Sequence, residues 1–346
     1  MAGGAAIGEP TQRRGTRRVL TFDRADVLAQ VRDAYPTLSY DDCTHTMLST
    51  IARQHGVDFA TAFFFDRVRR VPRNAAFAAA IEEGDPTAPP VRARGKVLIV
   101  PALFYHRRPA RGGDGAVVRA VAERAGLDVE VAPVESGGSA RRNAGILRDL
   151  LSRRSSEPTV IVSLSKGSAD LRLAFEAMQN TPAGVRAWIN VNGLLRGTPA
   201  IDRFMERWYR RLLLRLIILR AGGSTELPVE FSTSPTSPLH RAVVAPSGIL
   251  VINLLGFPLA AHLGTTFGRV RHRQMASHGP NDGLGLLRDA IVEPGLTYPV
   301  WGADHYFRVP TVPVLLTRVI AYLIHTGCLV PVPENAETGL HAGRIR

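Results

Sequence analysis

Cysteine is almost absent: Cys43 and Cys328 are the only two in 346 residues. They stand far apart, with no C-x-x-C pair and no metal-ligand spacing. A disulfide framework is therefore excluded, and a reduced compartment fits. Lysine is as rare, with only Lys96 and Lys166, so the formal charge of +13 is nearly all arginine. Alongside abundant alanine, glycine and proline, that bias belongs partly to base composition rather than to any ligand. No apolar run approaches the 18 or more residues of a membrane span. No apolar core of a secretory signal follows the first residues. A cytoplasmic protein is expected. Arg13, Arg14, Arg17 and Arg18 give the N-terminal tail a charge that suits lipid headgroups or nucleic acid, though a solvated tail explains them as well. No aromatic-interleaved basic module or zinc spacing accompanies them, so a nucleic-acid partner is not expected. An anionic membrane surface stays open as a peripheral partner.

What is present is a globular composition, 45% hydrophobic and 21% charged. Residues 1–18 lack periodicity and read as a disordered tail. Ala25 to Tyr35, Tyr40 to His55 and Phe59 to Val68 carry apolar residues at helical spacing, with Asp41 a plausible cap for the second. Pro86, Pro89 and Pro90 mark a linker, so residues 19–94 read as a helical extension with its linker. The pattern then changes. Strands are expected at Lys96 to Val100, Asp128 to Val134, Thr159 to Ser163, Ala187 to Val191, Ile249 to Leu254 and Thr297 to Trp301. Helices are expected at Ala116 to Ala125, Ala140 to Arg153, Ser168 to Met178 and Val312 to Thr326. This alternation predicts an α/β fold, a mostly parallel sheet covered by helices on both faces. Right-handed crossovers put the carboxyl ends of its strands on one edge, where such sheets hold their sites.

The segment Thr159 to Asp170 is a buried strand, a sharp turn carrying Ser165, and a helix start. A nucleophile presented this way needs small residues two positions before and after it. Ser163 and Gly167 occupy those positions, so the pattern is S-x-S-x-G rather than G-x-S-x-G. A serine hydroxyl needs a base, and the base a third group to fix its tautomer. His305 follows the last predicted strand, after Gly302 and Ala303, which let the chain turn and present the ring. His278, in a Gly/Pro/Asn loop, is the next histidine by placement. Asp282, in Gly279-Pro280-Asn281-Asp282-Gly283-Leu284, is the preferred carboxylate, although Asn-Asp-Gly is also ordinary turn chemistry. Asp202 is the competing acid.

With these residues in place the chain resembles the α/β-hydrolase superfamily over roughly residues 95–330. The resemblance rests on Ser163-Leu164-Ser165-Lys166-Gly167, on Asn281-Asp282-Gly283-Leu284 and on Gly302-Ala303-Asp304-His305-Tyr306-Phe307, in the superfamily's Ser, Asp, His order. Val191-Asn192-Gly193-Leu194-Leu195-Arg196-Gly197-Thr198-Pro199 is similar to a segment of lipases and esterases. The resemblance implies an α/β-hydrolase fold with a helical cap insertion at 200–248, to which this chain adds the N-terminal helical extension and a C-terminal tail at 331–346. It implies an acyl-enzyme mechanism in which Ser165 attacks a carbonyl, His305 shuttles the proton and Asp282 orients His305. Oxyanion-hole donors would be the amides of Lys166 and, from the turn after the first strand, Leu103. The superfamily often has His-Gly in that turn, where this chain has Pro101-Ala102. No cofactor or metal is implied. The implied substrate is a small-molecule carboxylic ester or lipid-like ester. An acyltransferase, a thioesterase or a catalytically silent binding protein would share the same frame.

The insertion contains Arg207 to Arg220. As a helix it would align Arg207, Arg211 and Arg215 on one face, and Trp208, Leu212, Leu216 and Leu219 on the other. The expected arrangement is a cap helix whose apolar side packs inward, with an interfacial lid as the alternative. The pattern carries no signal of oligomeric state.

Overall fold

The computed structural model describes residues 24–83, 92–107, 112–153, 156–307 and 309–332. The expected tail at 1–18, linker residues 84–91 and the C-terminal tail from 333 onward lie outside the described residues.

Four helices come first: α1 (Arg24–Ala34), α2 (His45–His55), α3 (Val57–Arg70) and α4 (Pro72–Glu82). The Asp41 cap expected for α2 is not the one used. Thr44 caps it, its hydroxyl accepting from the Met47 N–H, while Asp42 binds the Ser39 N–H in the turn before. The helix therefore starts at His45 rather than Tyr40. Helix α3 is buried on nearly all sides, and Phe63, Phe64 and Phe65 are each almost fully enclosed. A helix buried on nearly all sides must have neighbours on both flanks. Here α1 and α2 cover one flank, and the sheet residues Phe257 and Trp301 pack on Phe65 from the other. Helix α4, starting with Pro72 in its first turn, lies within the stretch read as helical but beyond its three named segments.

The rest of the chain alternates strand and helix. The elements are β1 (Ala93–Arg94), β2 (Lys96–Val100), α5 (Ala116–Arg124), β3 (Asp128–Val131), α6 (Ala140–Ser152), β4 (Thr159–Leu164), α7 (Lys166–Glu176) and β5 (Val185–Val191). Then come α8 (Pro199–Met205), α9 (Trp208–Arg220), α10 (Leu227–Glu230), β6 (Leu250–Phe257), α11 (Thr266–Met275), β7 (Leu296–Trp301), α12 (Val312–His325) and β8 (Val330–Pro331). Six strands form one sheet in the order β3-β2-β4-β5-β6-β7, every neighbouring pair parallel. The short strands β1 and β8 pair antiparallel beside it.

Strand β4 is buried at all six positions, as expected of a central strand with both faces covered. Its alternate residues feed two cores. Val160, Val162 and Leu164 join α5 and α12 on one face, and Ile161 joins α6 and α7 on the other. The mostly parallel sheet read from the sequence is thus observed, with strand ends shifted by a few residues. The largest shifts are in β3, which stops at Val131 rather than Val134, and in β6, which runs to Phe257 rather than Leu254.

The excursion between β5 and β6 carries α8, α9 and α10. Two buried polar anchors fasten it. Arg172 of α7 donates to the carbonyls of Leu195 and Leu239 at 2.5 and 3.1 Å. Glu230 at the end of α10 accepts from the first amides of α6, Ala140 and Arg141, at 2.6 and 3.1 Å. A carboxylate at a helix N-terminus is favoured by the orphan N–H groups and the macrodipole.

Candidate active site

Ser165 sits between β4 and α7 with φ of 52° and ψ of −115°. A non-glycine residue here is strained, by roughly 1–3 kcal/mol on general grounds. The small residues around it explain how the turn closes. A Cβ on Gly167 would stand 2.5 Å from the Val100 carbonyl oxygen and 2.6 Å from that of Pro101. Ser163, where a glycine was the simpler fit, is accommodated because its hydroxyl is fully engaged. It accepts from the Trp188 indole at 2.7 Å and lies 2.8 Å from the Ser168 hydroxyl. The departure from G-x-S-x-G therefore follows from a buried polar contact with the neighbouring strand β5.

Three of the residues singled out in the sequence meet. Ser165 Oγ lies 2.7 Å from His305 Nε2, and His305 Nδ1 lies 2.6 Å from Asp282 Oδ2. They come from three chain segments that reach the same sheet edge: the end of β4, the loop after α11, and the loop after β7. Asp282 Oδ1 accepts from the Leu284 and Gly285 amides at 2.9 and 2.8 Å, which fixes its rotamer. Gly283, at φ of 90°, supplies the left-handed residue that this tight loop requires. Asp202 is elsewhere. Its carboxylate accepts from Ser232 and Thr233, tying the first turn of α8 to the segment after α10. His278 lies in a short 3₁₀ turn after α11.

Burial alone would raise the Asp282 carboxyl, but the facing His305 ring and the two amides outweigh it and hold the group below its ordinary value. Burial would lower His305, but Asp282 outweighs it and leaves the imidazole raised. Each group thus favours the charged state of the other.

Sequence reasoning missed Asn192. It follows β5 with φ of 44°, and its Nδ2 donates to the carbonyls of Asp304 and His305, both at 3.0 Å. Its Oδ1 accepts from Gly256 N–H at 2.7 Å, so one amide ties the His305 loop to the end of β6. The signal was an asparagine directly after a strand in Val191-Asn192-Gly193, a residue type that tolerates positive φ.

The two amides expected to point at the reacting oxygen differ in setting. Lys166 opens α7, and the first amide of a helix has no acceptor within it. Around Leu103 the neighbouring amides are used, Ala102 donating to Gly113 O at 2.8 Å and Phe104 to Ser136 O at 2.7 Å. The Leu103 N–H has no partner among the described residues. The Lys166 side chain turns away into the protein, where its ammonium reaches both oxygens of Asp170 at 2.6 Å. Burial pushes Asp170 up to about 6, against the pull of Lys166 and of the Asn143 amide.

A cavity of about 630 Å³ opens beside Ser165 and His305. Its walls are apolar, with Leu194, Phe204, Leu214, Ile218 and Phe231 among them. Helix α9 forms part of that wall with a face other than the expected one. Leu214 and Ile218 are buried, whereas Trp208, Leu212, Leu216 and Leu219 are 50–75% exposed. Tyr209, Leu213 and Ile217 are exposed too. The helix is apolar on both sides, so spacing alone could not choose which side faces inward. No helix among the described residues is long and apolar enough to cross a membrane. Among those residues, no group of three His, Cys, Asp or Glu side chains is placed to hold a metal ion.

No family model and no curated protein matches the chain. Solved structures do. A metagenomic carboxyl esterase, MGS0156, superposes with a TM-score of 0.50 at 19% identity, over 69% of this chain and 77% of its own. The mature lipase BlEst2 of Bacillus licheniformis has a TM-score of 0.46 at 16% identity, over 71% of this chain and 97% of its own. A type II thioesterase of yersiniabactin biosynthesis, YbtT, has a TM-score of 0.35 at 13% identity, over 68% of this chain and 94% of its own. At 19% identity the carboxyl esterase shares the architecture with this chain, which has the α/β-hydrolase fold.

Proposed function

We propose that the protein is a serine hydrolase that cleaves carboxylic esters through an acyl-enzyme. The observation that carries this reading is the unbroken chain from Ser165 through His305 to Asp282, with contacts of 2.7 and 2.6 Å. Ser165 Oγ attacks the ester carbonyl carbon and gives its proton to His305 Nε2. Asp282 holds the ring in the tautomer that leaves Nε2 open, and it stabilises the imidazolium. The Lys166 and Leu103 amides receive the developing oxyanion. His305 then protonates the leaving alcohol. A water molecule, deprotonated by the same ring, attacks the acyl carbon and frees Ser165. The apolar cavity accommodates an acyl chain, and its volume lies in the range of small-molecule sites.

The test is labelling with a fluorophosphonate probe and hydrolysis of 4-nitrophenyl esters of graded acyl length. Labelling at Ser165 with turnover rising toward medium or long chains is expected. A folded protein that neither labels nor turns over any ester would sink the reading.

The raised His305 also sets a pH profile. The base works only when neutral, so kcat/KM should fall as pH drops through a value above the ordinary imidazole 6.5. Asp282→Asn should move that acid limb downward while lowering the plateau. The linkage has the opposite sense for the two partners. The raised His305 contributes stability that is present below its ordinary value and lost as pH rises through the raised one. The depressed Asp282 contributes stability that is lost only in stronger acid. Inactivation on the first acid limb should therefore be fully reversible, which a return to neutral pH followed by re-assay checks.

The exposed side of α9 supports peripheral contact with an anionic lipid surface. It sets Trp208, Leu212, Leu213 and Leu216 beside Arg207, Arg211 and Arg215, an apolar and cationic combination that suits anionic headgroups. Co-sedimentation with vesicles containing phosphatidylserine is expected, weakening with salt. Leu213→Glu together with Leu216→Glu should abolish it. Equal binding by that variant would remove α9 from the contact.

A further inference from the structure

Arg271, on α11, lines the same cavity as Ser165 and His305. Its guanidinium lies between two aromatic rings, 5.0 Å from the Phe204 centroid and 5.2 Å from that of Phe267. Among the described residues the cavity has two other ionisable cationic side chains, and both have partners. Lys166 is bound to Asp170, and His305 to Asp282. No aspartate or glutamate lines the cavity among the described residues. Arg271 itself has no carboxylate within ion-pair distance among those residues, and its one hydrogen bond to a side chain is a long contact of 3.4 Å to Gln274. Burial, and the like charge of Arg203 on α8, both act against its positive charge.

The largely apolar wall therefore holds a half-buried planar cation, stacked on two rings and without a carboxylate partner among the described residues. Stacking satisfies the faces of a guanidinium but leaves its N–H edge to bind an oxyanion in a bidentate manner. An anion there would also relieve the repulsion between Arg203 and Arg271. We propose that Arg271 recognises a carboxylate or phosphate carried by the substrate, so that the preferred ester is an anionic amphiphile rather than a neutral one. This rests on the ester-hydrolase reading above and narrows its substrate class.

The experiment compares esters in matched pairs, each pair one neutral and one anionic. One pair carries a terminal carboxylate on the acyl chain, one a carboxylate on the alcohol, and one a phosphate on the alcohol. The readout is the ratio of kcat/KM within each pair, for the wild type, Arg271→Met and Arg271→Lys. A ratio within a variant cancels any general loss of folding. The wild type should favour the anionic member of at least one pair, and which pair responds identifies the acid and the side it occupies. In Arg271→Met that ratio should fall about 10- to 100-fold, the range of a hydrogen bond to a charged group, mainly through KM. Arg271→Lys should recover part of it, and added salt should weaken the wild-type preference. A wild type with no anionic preference in any pair, or a ratio unchanged in Arg271→Met, would overturn the proposal. Absence of turnover on every ester, with no fluorophosphonate labelling, would instead overturn the hydrolase reading itself and this inference with it.

Discussion

Ser165→Ala is expected to lower ester turnover by a factor on the order of 10⁴–10⁶ and to abolish fluorophosphonate labelling. In the proposed mechanism the three groups act together, and that sets the size. Without the hydroxyl, His305 would have no proton to accept and Asp282 no imidazolium to stabilise, so their contributions would vanish with it. What would remain is the pair of amides at Lys166 and Leu103 and the binding cavity. The fold should be untouched, because Ser165 Oγ makes its contact with the His305 ring, whereas the buried polar contacts of the turn belong to Ser163. The measurement is single-turnover kinetics on a 4-nitrophenyl ester beside a urea titration. A variant that kept a tenth of the wild-type rate would rule out covalent catalysis by this serine.

Asp170→Ala should produce the largest loss of stability, about 3–5 kcal/mol, as is usual when one member of a buried ion pair is removed. The Lys166 ammonium, 3% exposed, would then be left without its carboxylate. Activity should fall as well, because the side chain that anchors the first residue of α7 also fixes the position of its amide. Replacing both partners, Lys166→Met with Asp170→Leu, should recover most of the stability, since two charges no longer have to be desolvated. Urea midpoints of the wild type, the single variant and the double variant give the comparison. A double variant no better than Asp170→Ala would mean that packing around the pair, not the stranded charge, accounts for the loss.

Much of this architecture was legible because its signals are local. Buried strands such as Thr159 to Leu164 stand out as short apolar runs. Ser165 is marked by the need for small neighbours, and His305 by its glycine after the last predicted strand. The choice of Asp282 over Asp202 is different in kind. Both lie after strands, and only the tertiary path of the loop after α11 brings one of them to the imidazole. The orientation of α9 was illegible because its leucines cover more than one face, and burial of Leu214 and Ile218 depends on what Leu227 and Phe231 offer opposite them. Helix α4 was hidden in an alanine-rich stretch with little periodicity. Asn192 and Arg271 carry no motif. Their interest comes from two carbonyls on a distant loop and from the lack of a carboxylate on a cavity wall, and neither is written near them in the chain.

The helical extension has a consequence for synthesis on the ribosome. Helices α1 to α3 share their core with Leu255 and Phe257 of β6 and with Leu287 and Ile291 of the loop before β7, so they pack on segments made long after them. Tyr40 and Glu293, joined by a side-chain hydrogen bond, are 253 positions apart. At about 5–20 residues per second, roughly 13–50 s separate the emergence of the two residues. During that interval Phe63, Phe64 and Phe65 have no sheet to cover them. The nascent chain must keep this triplet from non-productive contacts until β6 and β7 arrive.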